Sequence, residues 1–305
     1  MSDPTSSWGR LPTEARHPES ADLDLRPSAE VVALLVAEEQ RGLARVAERA
    51  AEIAEVADWT AAVLAAGGDV LFAGAGTSGR LGVLEAAECP PTFGTAPERI
   101  RAVMAGGDGA LFRAVEGAED VEEDGRASAA TLRTGDLLIA ISASSVTPYA
   151  RGAIAGARQR GARTVLLTCA APAGLEGVAD RVVALDTGPE ILTGSTRLKA
   201  GSATKAALNA ITTTAMVRSG KVFGNLMVDL RPGSAKLVDR ARRIVETAGG
   251  VDRDAAAGLL SRADGEVKTA IVMARTGSGP EEARRRLSAA AGAVREAIAE
   301  RNPAC

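Results

Sequence analysis

Residues 74–79 read GAGTSG, and residues 83–91 run VLEAAECPP, carrying a glutamate into a cysteine and two prolines. Gly74, Gly76 and Gly79 fit the spacing G-x-G-x-x-G between an apolar run and a helical pattern. Such a turn brings backbone amides and a helix N-terminus up to a phosphate. Thr77 and Ser78 add hydroxyl donors to the same loop. The lysine of a Walker loop is absent. A dinucleotide fold also wants an acid at the end of its second strand, and here Glu98 precedes that strand. A phosphomonoester therefore suits the loop better than a pyrophosphate, with a dinucleotide and a purely structural tight turn as the alternatives.

Two further clusters bear hydroxyls. Ser142, Ser144, Ser145 and Thr147 precede Pro148, and a Ser/Thr helix cap accounts for only one of the four. Thr193, Gly194, Ser195 and Thr196 are followed by Lys199 and Lys205. Three such loops on one sheet edge would surround a phosphorylated small molecule.

Carboxylates supply the remaining chemistry. Glu88 stands just before Pro90 and Pro91, so its helix is expected to stop soon after it. A glutamate at a helix C-terminus works against the dipole. Residues 116–124, EGAEDVEED, hold six acids in nine positions, which for most of them reads as a solvated face. Glu116 and Glu119 share a face, and Asp120 lies four from Glu116. A buried member of this group would have a raised pKa suited to proton transfer, but spacing does not choose among them. For Glu88 or Glu119 in isolation, the plain reading is a surface ion pair.

The elements that must position these groups follow from periodicity. Residues 1–27 read as an extended arm and 28–66 as helical. Apolar runs at 69–74, 100–105, 136–142, 164–168 and 181–185 read as strands, alternating with helices from Ser78, over 109–132 (broken in two), from Pro148 and over 196–218. That rhythm predicts an α/β fold with a parallel five-stranded sheet covered on both faces. Residues 221–234 read as a linker or crossing strand, and 235–302 as a bundle of three or four helices. The expected domains are 1–59 (arm and helices), 60–223 (ligand-binding sheet domain) and 224–305 (linker and bundle).

Composition narrows the function. With 36 basic against 39 acidic residues in 305, there is no footprint for nucleic acid or an anionic membrane. No apolar run is long enough to span a bilayer, and the N-terminus lacks a secretory h-region. Cys89, Cys169 and Cys305 are expected as thiols in a reducing cytoplasm. A single histidine, His17, argues against most metal sites and any histidine-based triad. The five lysines, Lys199, Lys205, Lys221, Lys236 and Lys268, all fall in the last third.

The chain resembles the N-acetylmuramic acid 6-phosphate etherases of the sugar isomerase (SIS) superfamily. The resemblance rests on TEARHPES, GAGTSGRLGVLEAAECPPTFG, MAGGDGALFRAVEGAEDVEEDG, TPYARGAIAGAR, TGSTRLKAGSATKAALN, SGKVFGNLMVDL and DGEVKTAIVMARTG, and covers nearly the whole chain. It implies a SIS-type three-layer sandwich with an N-terminal helical segment and a small C-terminal helical bundle. It implies cleavage of a D-lactyl ether in a phosphosugar, with no metal or redox cofactor, by a cytoplasmic homodimer engaged in muramic acid recycling. By motif it implies acid–base roles for Glu88 and Glu119, with Glu88 protonating the leaving oxygen. Gly76, Thr77, Ser78, Gly79, Ser144, Ser145, Thr147, Ser195 and Lys199 are the expected phosphosugar contacts. A straight helix from Ser78 puts Glu88 about 15 Å from its start. Either the helix breaks near Gly82, or the site is completed by a second subunit. The chain departs from the family pattern A-S-G-R-T-P-Y, having Ser145 and Val146 in place of Gly-Arg. It also has His17 where Asn is usual and Phe93 where Tyr is usual. The lost guanidinium is expected to weaken binding of the phosphate or the lactyl carboxylate. The alternatives are a non-catalytic SIS-type sugar-phosphate sensor and a nicotinamide-dependent oxidoreductase.

Overall fold

The computed structural model describes residues 9, 11–170, 174–230 and 234–299. Residues 1–8 and 10 of the expected arm, and Cys305, lie outside them. The chain divides into two compact units, residues 1–87 with 97–212, and residues 88–96 with 213–305.

The first unit begins with α1 (Ser28–Glu48) and α2 (Ala50–Ala65). Its sheet comprises β1 (Val70–Gly74), β2 (Ile100–Met104), β3 (Leu137–Ile141), β4 (Arg163–Thr168) and β5 (Arg181–Ala184), all parallel, in the order β2-β1-β3-β4-β5. β1 (VLFAG) and β3 (LLIAI) are buried at every position. Strands covered on both faces read as unbroken apolar runs, and these do. The helices are α3 (Gly76–Phe93), α4 (Glu122–Ser128), α5 (Pro148–Gln159) and α6 (Lys199–Arg218). Leu71, Ala73, Leu138, Ala140 and Leu166 on one face of the sheet share a core with Ala150, Ala153 and Ile154 of α5. With aromatics scarce, this interior is aliphatic.

Three local readings change. The stretch 109–132, expected as a helix in two pieces, is more fragmented: two short 3-10 turns, Asp108–Leu111 and Ala118–Asp120, precede α4. Gly107 (φ 68°) leads into the first turn and Gly117 (φ 75°) into the second. α3 runs past Glu88 and through Pro90 and Pro91 to Phe93. Each proline forgoes the bond its own nitrogen would have made, and its ring crowds the carbonyl four residues earlier. The Gly94 amide then closes the last turn on the Pro90 carbonyl at 2.9 Å. Nor does α3 break at Gly82, where a Cβ would lie 3.0 Å from that of Phe72. The glycine lets the helix approach β1 closely.

The second unit holds the last turns of α3 and α6. It adds a hairpin, β6 (Val222–Phe223) with β7 (Leu226–Met227), where a linker or crossing strand is predicted. Among the described residues five helices follow, rather than three or four: α7 (Ala235–Gly249), α8 (Arg253–Arg262), α9 (Val267–Thr276), α10 (Pro280–Ala289) and α11 (Val294–Ile298). Val245, Ala256, Ala270, Ile271 and Val272 centre its core. α7 starts at the Ser234 cap and ends at Gly250 in the left-handed region. The division between the units falls within α6, whereas the sequence suggested a boundary after residue 223. An amphipathic pattern does not register where a continuous helix passes from one core to another.

Candidate active site

In a sheet ordered β2-β1-β3-β4-β5, the direction of winding reverses between β1 and β3. Ligands of open parallel sheets bind beyond the strand ends at that point. The loops leaving β1 and β3 are the two that carry GTSG and the serine cluster.

After β1 the chain turns through Gly76 (φ 54°) directly into α3. A Cβ on Gly79 would sit 2.6 Å from the Met104 Cβ and 2.7 Å from the Gly74 carbonyl oxygen. Glycine is therefore what allows the helix to start against the sheet edge. Helix geometry leaves the amides of the first turn without internal acceptors, and no acid occupies that turn. Thr77 and Ser78 are half-buried beside them.

After β3, Ser142 Oγ and Thr147 Oγ1 bond to each other at 2.8 Å, and Ser144 Oγ accepts from the Val146 amide at 3.5 Å. Ser145 is 1% exposed with φ 69°, a conformation that favours glycine. Its hydroxyl donates to the Ser144 carbonyl, and its own carbonyl accepts from Arg151 Nε at 2.9 Å. Thr147 precedes α5 without making a side-chain cap, so the helix-cap reading fails and the α5 amides stay uncapped. Helices α3 and α5 thus present two N-termini at the switch point, a setting for an anion.

The third cluster behaves differently. The Glu190 carboxylate, 1% exposed, accepts from the amides of Lys199 (3.2 Å) and Ala200 (2.8 Å) at the start of α6. Burial pushes the Glu190 carboxyl above its ordinary value, against the Ala200 amide and Lys199 charge that pull it down. An internal anion already occupies that helix end. Lys199 is itself only 3% exposed. Its ammonium meets Glu38 Oε2 at 2.5 Å and the Pro189 carbonyl at 2.8 Å. The charge of Lys199, expected as a phosphosugar contact, is committed inside the protein in this structure. Glu38 also takes Arg41 Nη1 at 2.5 Å and His17 Nε2 at 3.3 Å. His17 Nδ1 accepts from the Glu19 amide at 3.2 Å. Ser195 remains half-buried on its loop.

Glu119 is exposed on its 3-10 turn and lines a cavity of about 80 Å³ with Gly76, Arg80, Val115 and Glu116. The structure thus places Glu116 and Glu119, but not Asp120, on the same cavity as the glycine loop. Arg80 holds this arrangement. From α3 its guanidinium donates to the carbonyls of Leu111 (3.0 Å) and Ala110 (2.7 Å). Glu88 is exposed on α3 and belongs to the second unit. One turn earlier, buried Glu85 accepts from Lys205 Nζ at 3.0 Å and Thr212 Oγ1 at 2.5 Å. Sequence reasoning passed over Glu38, Glu85, Glu190 and Arg151. For Glu85 the scarcity of lysine, which singles out Lys205, was the one available signal. Among the described residues, no group of three or more His, Cys, Asp or Glu is placed to hold a metal ion. Among them, too, no helix is long and apolar enough to cross a membrane.

A five-stranded parallel sheet with two hydroxyl-bearing helix starts at its switch point defines an α/β domain of the SIS type. A family model described as the glucokinase regulatory protein N-terminal SIS domain matches residues 50–158. Over the full length the relatives agree. The chain is 50% identical over 294 residues to the N-acetylmuramic acid 6-phosphate etherase of Rubrobacter xylanophilus, covering 96% of this chain and 97% of that one. It is 49% identical over 292 residues to the etherase of Deinococcus radiodurans, covering 94% and 95%. Against the etherase of Streptomyces coelicolor it is 45% identical over 299 residues, covering 97% and 96%. Among solved structures, an Escherichia coli protein determined as a complex is a distant likeness. Its TM-score is 0.47 at 16% identity, over 66% of this chain and 97% of that one. The chain belongs to the N-acetylmuramic acid 6-phosphate etherase family.

Proposed function

We propose that this protein is a carbon–oxygen lyase that cleaves the D-lactyl ether of N-acetylmuramic acid 6-phosphate. The products are N-acetylglucosamine 6-phosphate and D-lactate. The observation that carries the reading is the cavity shared by Gly76 of the phosphate-type loop and Glu119, in a chain half identical to a named etherase. In the open-chain sugar the C1 aldehyde acidifies the C2 proton. Glu119 removes that proton, and its electron pair forms the C2–C3 double bond as the C3–O bond breaks. Glu88, acting as a carboxylic acid, protonates the departing lactate oxygen. Water then adds to the enal, its oxygen at C3 and a proton at C2. Carboxylates and water balance the reaction.

The amides of α3 and α5, with Thr77, Ser78, Ser144 and Thr147, hold the phosphate away from the bond that breaks, so that binding energy orients the reacting carbons. Arg151, held at the β3 loop by Ser145, supplies the guanidinium that Val146 lacks. Lys199, held by Glu38 and the Pro189 carbonyl, positions the start of α6.

Twelve residues of unbroken helix separate Gly76 from Glu88, about 18 Å of axial rise. One sugar phosphate does not span that, so the acid comes from the partner in a homodimer. Phe112, 91% exposed, and Val115, 48% exposed, lie in the Glu119 loop and offer apolar surface for a second copy to cover. The substrate is a cytoplasmic catabolite of cell-wall sugar. Two measurements test the scheme. Purified protein incubated with the muramic acid phosphate must release D-lactate, and binding without release would point to a sensor instead. Glu88→Ala and Glu119→Ala chains, each inactive, must regain part of the activity when mixed. No recovery removes the shared site.

A further inference from the structure

The bundle unit carries an open cleft of about 520 Å³ to which the ether cleavage gives no role. Three of the stretches that carry the family resemblance meet on it. They are Gly94 from ECPPTFG, Lys221 and Asp229 from GKVFGNLMVDL, and Glu266 to Thr269 from DGEVKT. The charges lining it are sorted. Lys221 Nζ at 2.6 Å and Lys268 Nζ at 2.9 Å both meet the same oxygen, Oδ2 of Asp229. Two ammonium groups on one carboxylate leave a surplus positive charge. Elsewhere on the wall the order inverts. Arg284 lies between Asp264, at 2.7 Å, and Glu266, at 2.8 Å. The Lys268 side chain is 12% exposed against 79% for Asp264, so the cationic end is the deep one.

Burial pulls the Lys268 ammonium below its ordinary value, Asp229 opposes this, and Lys221 adds to the lowering. An anion delivered to that end would relieve the repulsion between the two lysines. Helix α9 begins on the cavity wall, with Glu266 as its cap residue and Lys268 in its first turn. Its cap residue Glu266 gives no side-chain bond to the helix amides, and accepts instead from Thr269 Oγ1 at 2.8 Å and Arg284 Nε at 2.8 Å. The first-turn amides add to the donors there. Leu230, Val267 and Leu287 provide apolar wall. The volume falls in the range of small-molecule sites.

We propose that this cavity binds a small organic carboxylate. Its anion meets Lys221 and Lys268, its carbon body lies along Leu230, Val267 and Leu287, and an ammonium or hydroxyl at its far end reaches Asp264 and Glu266. The site is independent of the ether cleavage, and so is its test. Isothermal titration of the full chain with acetate, butyrate, 4-aminobutyrate and inorganic phosphate separates the contributions. Affinity is expected to rise from acetate to butyrate to 4-aminobutyrate and to exceed that for phosphate. Lys268→Gln and Lys221→Gln are each expected to weaken 4-aminobutyrate binding at least about tenfold, the value of a charge-assisted hydrogen bond. Lys221 is the more exposed of the two, so its variant preserves the test if Lys268→Gln fails to fold. Absence of saturable binding, preference for phosphate, or binding indifferent to both substitutions overturns the proposal.

Discussion

Replacing Glu38 by alanine is the sharpest perturbation of the scaffold behind the site. The carboxylate is 3% exposed and gathers Lys199, Arg41 and His17. Arg41 has solvent to fall back on, being 57% exposed, but the Lys199 side chain is 4% exposed. Without Glu38 its ammonium keeps one protein acceptor, the Pro189 carbonyl. Leaving a buried charge unpaired costs about 3–5 kcal/mol. At a urea slope of about 2 kcal/mol/M, the midpoint of the first unit falls by about 1.5–2.5 M. Trp59 of α2, whose ring lies 4.2 Å from the Arg163 guanidinium, reports that unit by fluorescence in a Trp8→Phe background. The double variant Glu38→Leu/Lys199→Met removes both charges and is expected within about 1–2 kcal/mol of wild type. The effect also has a pH signature. Burial raises the Glu38 carboxyl, but the hydrogen bond and charge of Lys199 outweigh it and hold the group below its ordinary 4.5. A depressed carboxyl stabilises the fold above its unfolded pKa and loses that contribution as pH falls through the folded value. The gap between wild type and Glu38→Ala should therefore close below about pH 4.5. A midpoint shift under about 0.5 M, or a double variant as unstable as the single one, refutes the buried-charge reasoning.

Three further expectations follow from the same geometry. Arg151→Met should raise KM for the sugar phosphate by about tenfold or more with a smaller change in kcat, since a lost charged hydrogen bond is worth about 1.5–3 kcal/mol. Steady-state kinetics checks this, and an unchanged KM removes Arg151 from the anion site. Gly79→Ala should destabilise by about 3 kcal/mol and abolish lactate release, because its Cβ would lie 2.6 Å from that of Met104. Thermal unfolding of that variant at the wild-type temperature would contradict the close helix approach. Cys169 is 1% exposed, and burial pushes its thiol up to about 11. Ellman's reagent at pH 8 should leave it unmodified in the native protein and label it in urea, as peptide mass spectrometry would show.

Much of the switch point was legible because its signals are local. Glycines at 74, 76 and 79 must stand where a strand turns tightly into a helix, and apolar runs covered on both faces announce parallel strands. The Ser145 departure also becomes legible in the structure. Its φ of 69° is the conformation a glycine supplies freely, so the residue fits by tethering its hydroxyl to the Ser144 carbonyl. What stayed hidden depends on partners distant in sequence. Lys199 looked like a ligand contact because it follows a hydroxyl cluster, yet its partner is 161 residues away. The Glu190 cap on α6 sits outside any local capping pattern. Pro90 and Pro91 argued for an earlier helix end, yet α3 carries both through its last turn, which closes on the Gly94 amide. The short turns around Glu119 escaped because acidic residues spaced for a helix face were interrupted by glycines.

The scheme for the reaction stands on scission of the C3–O bond by elimination and re-addition. Turnover of the muramic acid phosphate in deuterium oxide containing oxygen-18 water tests it directly. Elimination and re-addition give N-acetylglucosamine 6-phosphate bearing deuterium at C2 and oxygen-18 in its C3 hydroxyl, with D-lactate retaining its ether oxygen unlabelled. Oxygen-18 in the lactate hydroxyl, or product with no deuterium at C2, would contradict it.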